Sequence, residues 1–258
     1  MKVQFQLSIE NRNQQFIQFE VRIPVEGDIT EIKLPTWRPG RYELGYFAKN
    51  VRLFQAFGEK DEVLDYKKTS HSVWEVQTPG QKEIKIRYQF FAAELNGGST
   101  FLDDVQFYVN PVNCFIYSDF TREMETEVKL LVPKSYKIAC SLPQKGKVLT
   151  APNFDTLVDA PFIASDSMVK NEFEEGGVKF HIWFQGMNNI PWDRLITDFR
   201  KFTQAQLQKF GEFPVKEYHY LIQIAPYKAY HGVEHHASTV LFLGPTYEVF
   251  GDLYKELL

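Results

Sequence analysis

The chain has 258 residues, enough to bury a core in one or two domains, and its 44% hydrophobic and 24% charged residues match ordinary globular proteins. A formal net charge of −4 leaves no basic footprint and argues against nucleic acid as a partner. Aromatic residues reach 16%, with 23 Phe and 13 Tyr, which suits β-rich architecture because broad rings pack on pleated surfaces.

The chain opens in period two. Val3, Phe5, Leu7 and Ile9 alternate with Gln4, Gln6 and Ser8, which predicts a strand rather than the continuous apolar run of a signal peptide. The same alternation recurs at Ile17, Phe19, Val21 and Ile23, and at Ile84, Ile86, Tyr88 and Phe90. Turn residues separate these runs: Glu26-Gly27-Asp28, Pro79-Gly80, Asn96-Gly97-Gly98, and Pro143 with Gly146. Further strands are expected near 73–76, 105–109, 128–132 and 157–158. Many short strands with no helix among them predict an antiparallel β-sandwich over residues 1–165. Trp37, Pro39 and Gly40 read as a tight turn capped by a packed indole, with Arg38 and Arg41 in solvent. Asp103 and Asp104 read as part of a turn, since two adjacent carboxylates fall short of a calcium site. Cys114 and Cys140 are expected to be buried, reduced thiols.

The pattern changes after residue 165 to a mixed α+β part over 166–258. A strand is expected over 178–184. Asn189-Ile190-Pro191 opens a helix in which Trp192, Leu195, Ile196, Phe199, Phe202 and Phe210 share a face, and Gly211 stops it. Strands are expected over 218–225 and 240–243. A last helix from Tyr247, carrying Phe250, Leu253, Tyr254 and Leu257, meets no stop signal, so an uncovered apolar face and self-association are expected. No stretch has the apolar length of a membrane span, and a cytoplasmic location is the default.

The run His231-Gly232-Val233-Glu234-His235-His236-Ala237-Ser238-Thr239 holds three of the six histidines around one glutamate. His231 to His235 matches the inverted zinc motif His-x-x-Glu-His, which works only on a helix. Here a glycine and a β-branched valine lie between two strand-like segments, so a strand is expected and the ligand geometry is not. A glutamate beside a glycine on an edge strand can instead pair with an extended peptide, Gly232 admitting its backbone and the Glu234 carboxylate holding its α-ammonium group. A polar loop whose histidines bond to neighbours stands beside that reading.

These residues, taken together, resemble a known family. Pro35-Thr36-Trp37-Arg38-Pro39-Gly40-Arg41-Tyr42 is similar to the Pro-x-Trp-x-Pro-Gly-x-Tyr signature of the glycyl aminopeptidase family (family sixty-one of the metallopeptidases). Phe47 to Val51, Trp74, Leu102-Asp103-Asp104, Gly211-Glu212-Phe213-Pro214 with Tyr218, and Gly232-Val233-Glu234-His235 with Ser238 follow in the family's order. The resemblance implies an N-terminal β domain joined to the first part of a thermolysin-like catalytic domain, often followed by a PDZ domain. It implies zinc-dependent removal of N-terminal residues from peptide substrates, with Glu234 as the substrate-amine carboxylate, Gly232 on the aligning strand, and His235 and Ser238 in the same substrate-binding block. His231 stands where relatives have a glycine and is expected to narrow the cleft. None of the six histidines falls in His-Glu-x-x-His. The expectation is therefore a chain truncated before its zinc motif, lacking metal ligands and inactive alone, with zinc held only by the complete enzyme. A non-enzymatic β-sandwich module binding peptide or carbohydrate is the alternative.

Overall fold

The computed structural model describes residues 1–38, 43–251 and 254–258, so Pro39, Gly40, Arg41 and Tyr42 of the signature and Leu253 of the last helix lie outside the described residues. An eight-stranded sheet runs in the order β13 (Gln144–Lys145), β14 (Val148–Ala151), β11 (Thr126–Leu131), β1 (Val3–Ser8), β2 (Phe16–Pro24), β8 (Glu83–Phe91), β4 (Val51–Phe57), β5 (Val63–Leu64). The alternating apolar positions Phe5, Leu7, Phe19, Ile86 and Tyr88 turn inward and are buried. The pairing is antiparallel except between β1 and β11, which run parallel. A parallel neighbour needs a long crossover, and the 117 residues between these two strands supply it.

Two smaller sheets close this core. One holds β3 (Ile29–Lys33), β7 (Val73–Gln77) and β6 (Tyr66–Lys68); the other runs β12 (Lys137–Cys140), β15 (Phe162–Ser165), β10 (Phe107–Val109), β9 (Phe101–Leu102). Trp74 stacks on Phe54 at 4.8 Å between the first sheet and the three-stranded one. Trp37, by contrast, is 51% exposed, so the packed indole expected there is not found. Arg38 is half-buried and donates from Nη1 to the Gly98 carbonyl at 3.2 Å. Asp103 accepts from the backbone N–H of Val105 and of Gln106, both at 2.8 Å, which makes the expected turn. Cys114 and Cys140 are buried free thiols, and burial pushes the Cys140 thiol up to about 12.

Residues 157–158 are helical, not extended. In α1 (Phe154–Val158) the Asn153 side chain accepts from the Thr156 N–H at 2.8 Å and caps the turn, while Phe154 and Leu157 enter the core.

A five-stranded sheet follows in the order β16 (Met168–Glu175), β17 (Val178–Gln185), β18 (Glu217–Ile224), β20 (Ser238–Gly244), β19 (Ala229–Glu234), so β19 is an edge. The helix α2 (Trp192–Phe210) covers one face: Leu195 and Phe199 pack with Phe180, Ile182, Tyr220 and Ile222. Gly211 ends α2 with φ +89°, a backbone conformation side chains rarely adopt. The opposite face, through Trp183, Leu221 and Val240, packs on Phe101, Tyr108, Ala139 and Ile163 of the four-stranded sheet. The molecule is thus mainly β, with its longer helix confined to the C-terminal part. The last helical stretch is two short pieces, α3 (Thr246–Val249) and α4 (Tyr254–Leu257), rather than one helix. Val249, Tyr254 and Leu257 are buried in the second core and Phe250 packs against it, while Tyr247 is exposed. Among the described residues no helix is long and apolar enough to cross a membrane.

Candidate functional site

The histidine cluster forms an edge strand and the turn after it. Because successive strand residues alternate faces, Gly232 and Glu234 fall on one side of β19, and His231 and Val233 on the other. The register fixes which side is which: Glu234 pairs with Thr239, Thr239 with Tyr220, and Tyr220 packs against α2. Glu234 is exposed at the end of the strand, and Gly232 is exposed beside Leu241. Burial, with the nearby charges of Glu234 and Asp159, pushes the Tyr218 hydroxyl up to about 12.

His231 and Val233 lie under Gly97 on the opposite face. A Cβ at Gly97 would meet Val233 Cγ2 at 3.4 Å and His231 Nδ1 at 3.5 Å. His231 therefore does not narrow the Glu234 side. In an extended strand, residues four apart stand about 13 Å apart, so His231 and His235 cannot share one ion, and the inverted zinc geometry is absent.

His235 and Ser238 close the turn: the His235 N–H donates to the Ser238 carbonyl at 2.8 Å. The His235 side chain reaches back to the first core, with Nδ1 2.8 Å from Asp159, and the His236 N–H donates to the other Asp159 oxygen at 2.9 Å. Burial raises the Asp159 carboxyl, but the His235 ring and the His236 N–H outweigh it and hold the group below its ordinary value. Ser238 is fully buried and its Oγ has no hydrogen-bond partner.

A second constellation had no signature in local spacing. His181 on β17 and His219 on β18 are direct partners in the parallel ladder, their ring centroids 4.3 Å apart. Glu217, two residues earlier on the same face, brings Oε2 to 2.9 Å from His181 Nε2. One ligand atom from each of the three residues lies within 4.8 Å of the others. The His181 Nδ1 is 3.3 Å from a Glu172 oxygen but not aligned for a hydrogen bond, which leaves it buried and unbonded. Trp183 donates from Nε1 to His219 Nδ1 at 3.4 Å. Burial pulls both rings down, His219 to about 3 with the help of His181 and Lys170, and His181 less because the Glu217 hydrogen bond opposes it. Both are therefore neutral imidazoles at neutral pH.

This group overturns the expectation that the chain lacks metal ligands, that it stops before any metal-binding element, and that it is inactive on that ground. Two imidazoles and a carboxylate are a donor set zinc accepts. Spacing along the chain could not show it, since 35 residues separate His181 from Glu217 and only strand pairing joins them. The legible signal was parity: polar His181, Glu217 and His219 fall on the face shared with Trp183 and Leu221. The group lies on the opposite face of the sheet from Glu234, with β20 between β18 and β19.

A family model described as the peptidase M61 N-terminal domain matches residues 4–166. A comparison with curated proteins gave no match. Among solved structures, an aminopeptidase N family protein from Idiomarina loihiensis superposes with TM-score 0.88 at 23% identity, over 98% of this chain and 46% of that one. An M1 zinc metallopeptidase from Deinococcus radiodurans superposes at TM-score 0.54 and 11% identity, over 94% of this chain and 59% of that one. A mutant of the same Deinococcus enzyme, bound to a Tyr-Ser-Ala substrate, gives TM-score 0.51 and 13% identity, over 93% and 59%. At such identities the likeness concerns the fold. This chain spans less than two thirds of each.

Proposed function

The chain belongs to the peptidase M61 family through its N-terminal domain, and from that premise we propose that its edge strand β19 receives the amino-terminal end of an extended peptide, as the substrate edge of an aminopeptidase. In this reading residues 1–165 are the family's β domain, and residues 166–258 open a thermolysin-like catalytic domain. The observation that carries it is the pairing of exposed Gly232 and exposed Glu234 on one side of an edge strand.

An edge strand offers outward N–H and C=O groups that an added strand can pair with. Gly232 lacks a side chain, so a peptide backbone can approach there. The Glu234 carboxylate, at the strand's end, then meets the α-ammonium group and fixes the register by a charge-assisted bond. His235 and Ser238 position this carboxylate, since the turn they close is anchored on Asp159. Zinc, when bound in a metallopeptidase, polarises the scissile carbonyl and lowers the pKa of its water. The His181–Glu217–His219 group faces away from Glu234 and takes no part in this edge.

Calorimetric titration with Gly-Ala-Ala and with its N-acetyl form tests the reading. The free amine is expected to bind at least ten times tighter, and Glu234→Gln to abolish that preference. Equal binding of both peptides to the wild-type chain would refute it.

A further inference from the structure

We propose that His181, Glu217 and His219 form a binding site for a zinc-class divalent ion, in the cleft between β12 and the β17–β18 ladder. The site is independent of the peptide edge, because it lies on the other face of the sheet and shares no residue with it.

Three observations carry it. The first is convergence: one ligand atom from each residue lies within 4.8 Å of the others. A tetrahedral ion with bonds of about 2.0–2.1 Å holds its ligands roughly 3.3–3.5 Å apart, so small side-chain rotations bring the group to that geometry. The second is an incompletely bonded buried ring. His181 is 5% exposed with Nε2 facing Glu217, and its Nδ1, 3.3 Å from a Glu172 oxygen, has no aligned hydrogen bond, which is uncommon for a buried polar atom. The third is access. The three residues line a cleft of about 860 Å³ together with Cys140, Leu142, Trp183 and Lys216, so an ion can enter and keep an exchangeable fourth position. Glu172 adds a second carboxylate beside His181, although it is shared with Lys170 and Lys179.

The donor set selects the ion. Imidazole and carboxylate suit zinc, copper and nickel, whereas calcium and magnesium prefer all-oxygen sites. Binding also has a proton consequence that can be read. A ligating nitrogen must be bare, and His219 Nδ1 now accepts from Trp183. Ligation through Nδ1 displaces the indole; ligation through Nε2 moves the ring proton to Nδ1, where it opposes the indole N–H. Either route changes the surroundings of Trp183.

The test titrates the 258-residue chain with Zn²⁺ by calorimetry and with Co²⁺ by visible absorption, following tryptophan fluorescence in parallel. The expected result is one ion per chain, a tetrahedral cobalt spectrum, and a fluorescence change that is lost in Trp183→Phe. His219→Gln and Glu217→Gln should each weaken binding at least tenfold, while His71→Gln, in the first core's surface, leaves it unchanged. Glu217 is exposed, so its variant keeps the fold, and circular dichroism checks this for both. Absence of binding, or a stoichiometry and affinity unaltered by both variants, would overturn the site.

Discussion

The carboxylate of Asp159 and the imidazole of His235 meet at 2.8 Å, joining the C-terminal end of α1 in the first core to the turn that follows β19. The second Asp159 oxygen takes the His236 N–H at 2.9 Å, so one side chain holds two successive residues of the turn. The exposed Glu234 is the residue just before that anchored pair. Strand register sets its side, and the turn that follows it is anchored by Asp159, 75 residues earlier in sequence.

Removing this anchor should loosen the turn before it harms either core. Asp159→Ala leaves the buried His235 ring without its partner, which costs about 1–3 kcal/mol. Chemical denaturation should show that loss, and hydrogen exchange should rise first at 234–238. A stability equal to wild type would mean that the contact is not formed in solution.

The same carboxylate gives a pH dependence with a definite sign. Its folded pKa is depressed below the unfolded value of about 3.9. Its contribution is therefore complete above that value and is lost as pH falls through the folded pKa. Between about pH 5 and pH 2 the Asp159→Asn chain should lose stability less steeply than wild type. Parallel acid-denaturation profiles would contradict this.

Gly232 separates binding from folding. A Cβ there meets Leu241 Cδ2 at 3.5 Å, an ordinary contact, and the backbone is not in a glycine-only conformation. Gly232→Val should leave stability within about 0.5 kcal/mol of wild type. Peptide affinity should fall at least tenfold, because the added methyls stand where the peptide backbone approaches. Retained affinity would remove Gly232 from the proposed edge.

The second core rests on aromatic packing around Phe199, which is fully buried and meets Tyr220 edge-on at 4.8 Å and Phe202 at 4.9 Å. Phe199→Ala should cost about 3–5 kcal/mol. Thermal melting followed by far-ultraviolet circular dichroism would measure it, and a loss under about 1 kcal/mol would show that α2 is not docked as described.

Much of this architecture is legible in the sequence. The alternation at Val3, Phe5 and Leu7, and the helical face of Leu195 and Phe199, are local patterns whose burial the fold then completes. The edge pairing of Gly232 and Glu234 was readable for the same reason, since strand parity is a local property. What failed was decided by distant partners or by a single cap. Leu157 and Val158 look extended alone, but the Asn153 side chain supplies the first turn's missing acceptor and tips the segment to helix. The parallel β1–β11 pairing leaves no trace in either strand. His181 and His219 carry no motif because they become neighbours only when β17 and β18 align in register. Trp37 sits in turn-forming sequence, yet nothing in its neighbours determines whether the indole is covered, and it is exposed.

Docking of a peptide's amino terminus along β19 against Glu234 is read by amide chemical-shift mapping on adding Gly-Ala-Ala. Saturable shifts confined to 229–235 and neighbouring Tyr218 are expected, absent with the N-acetyl peptide and absent in Glu234→Gln. Shifts elsewhere on the molecule, or identical shifts with the acetylated peptide, would contradict it.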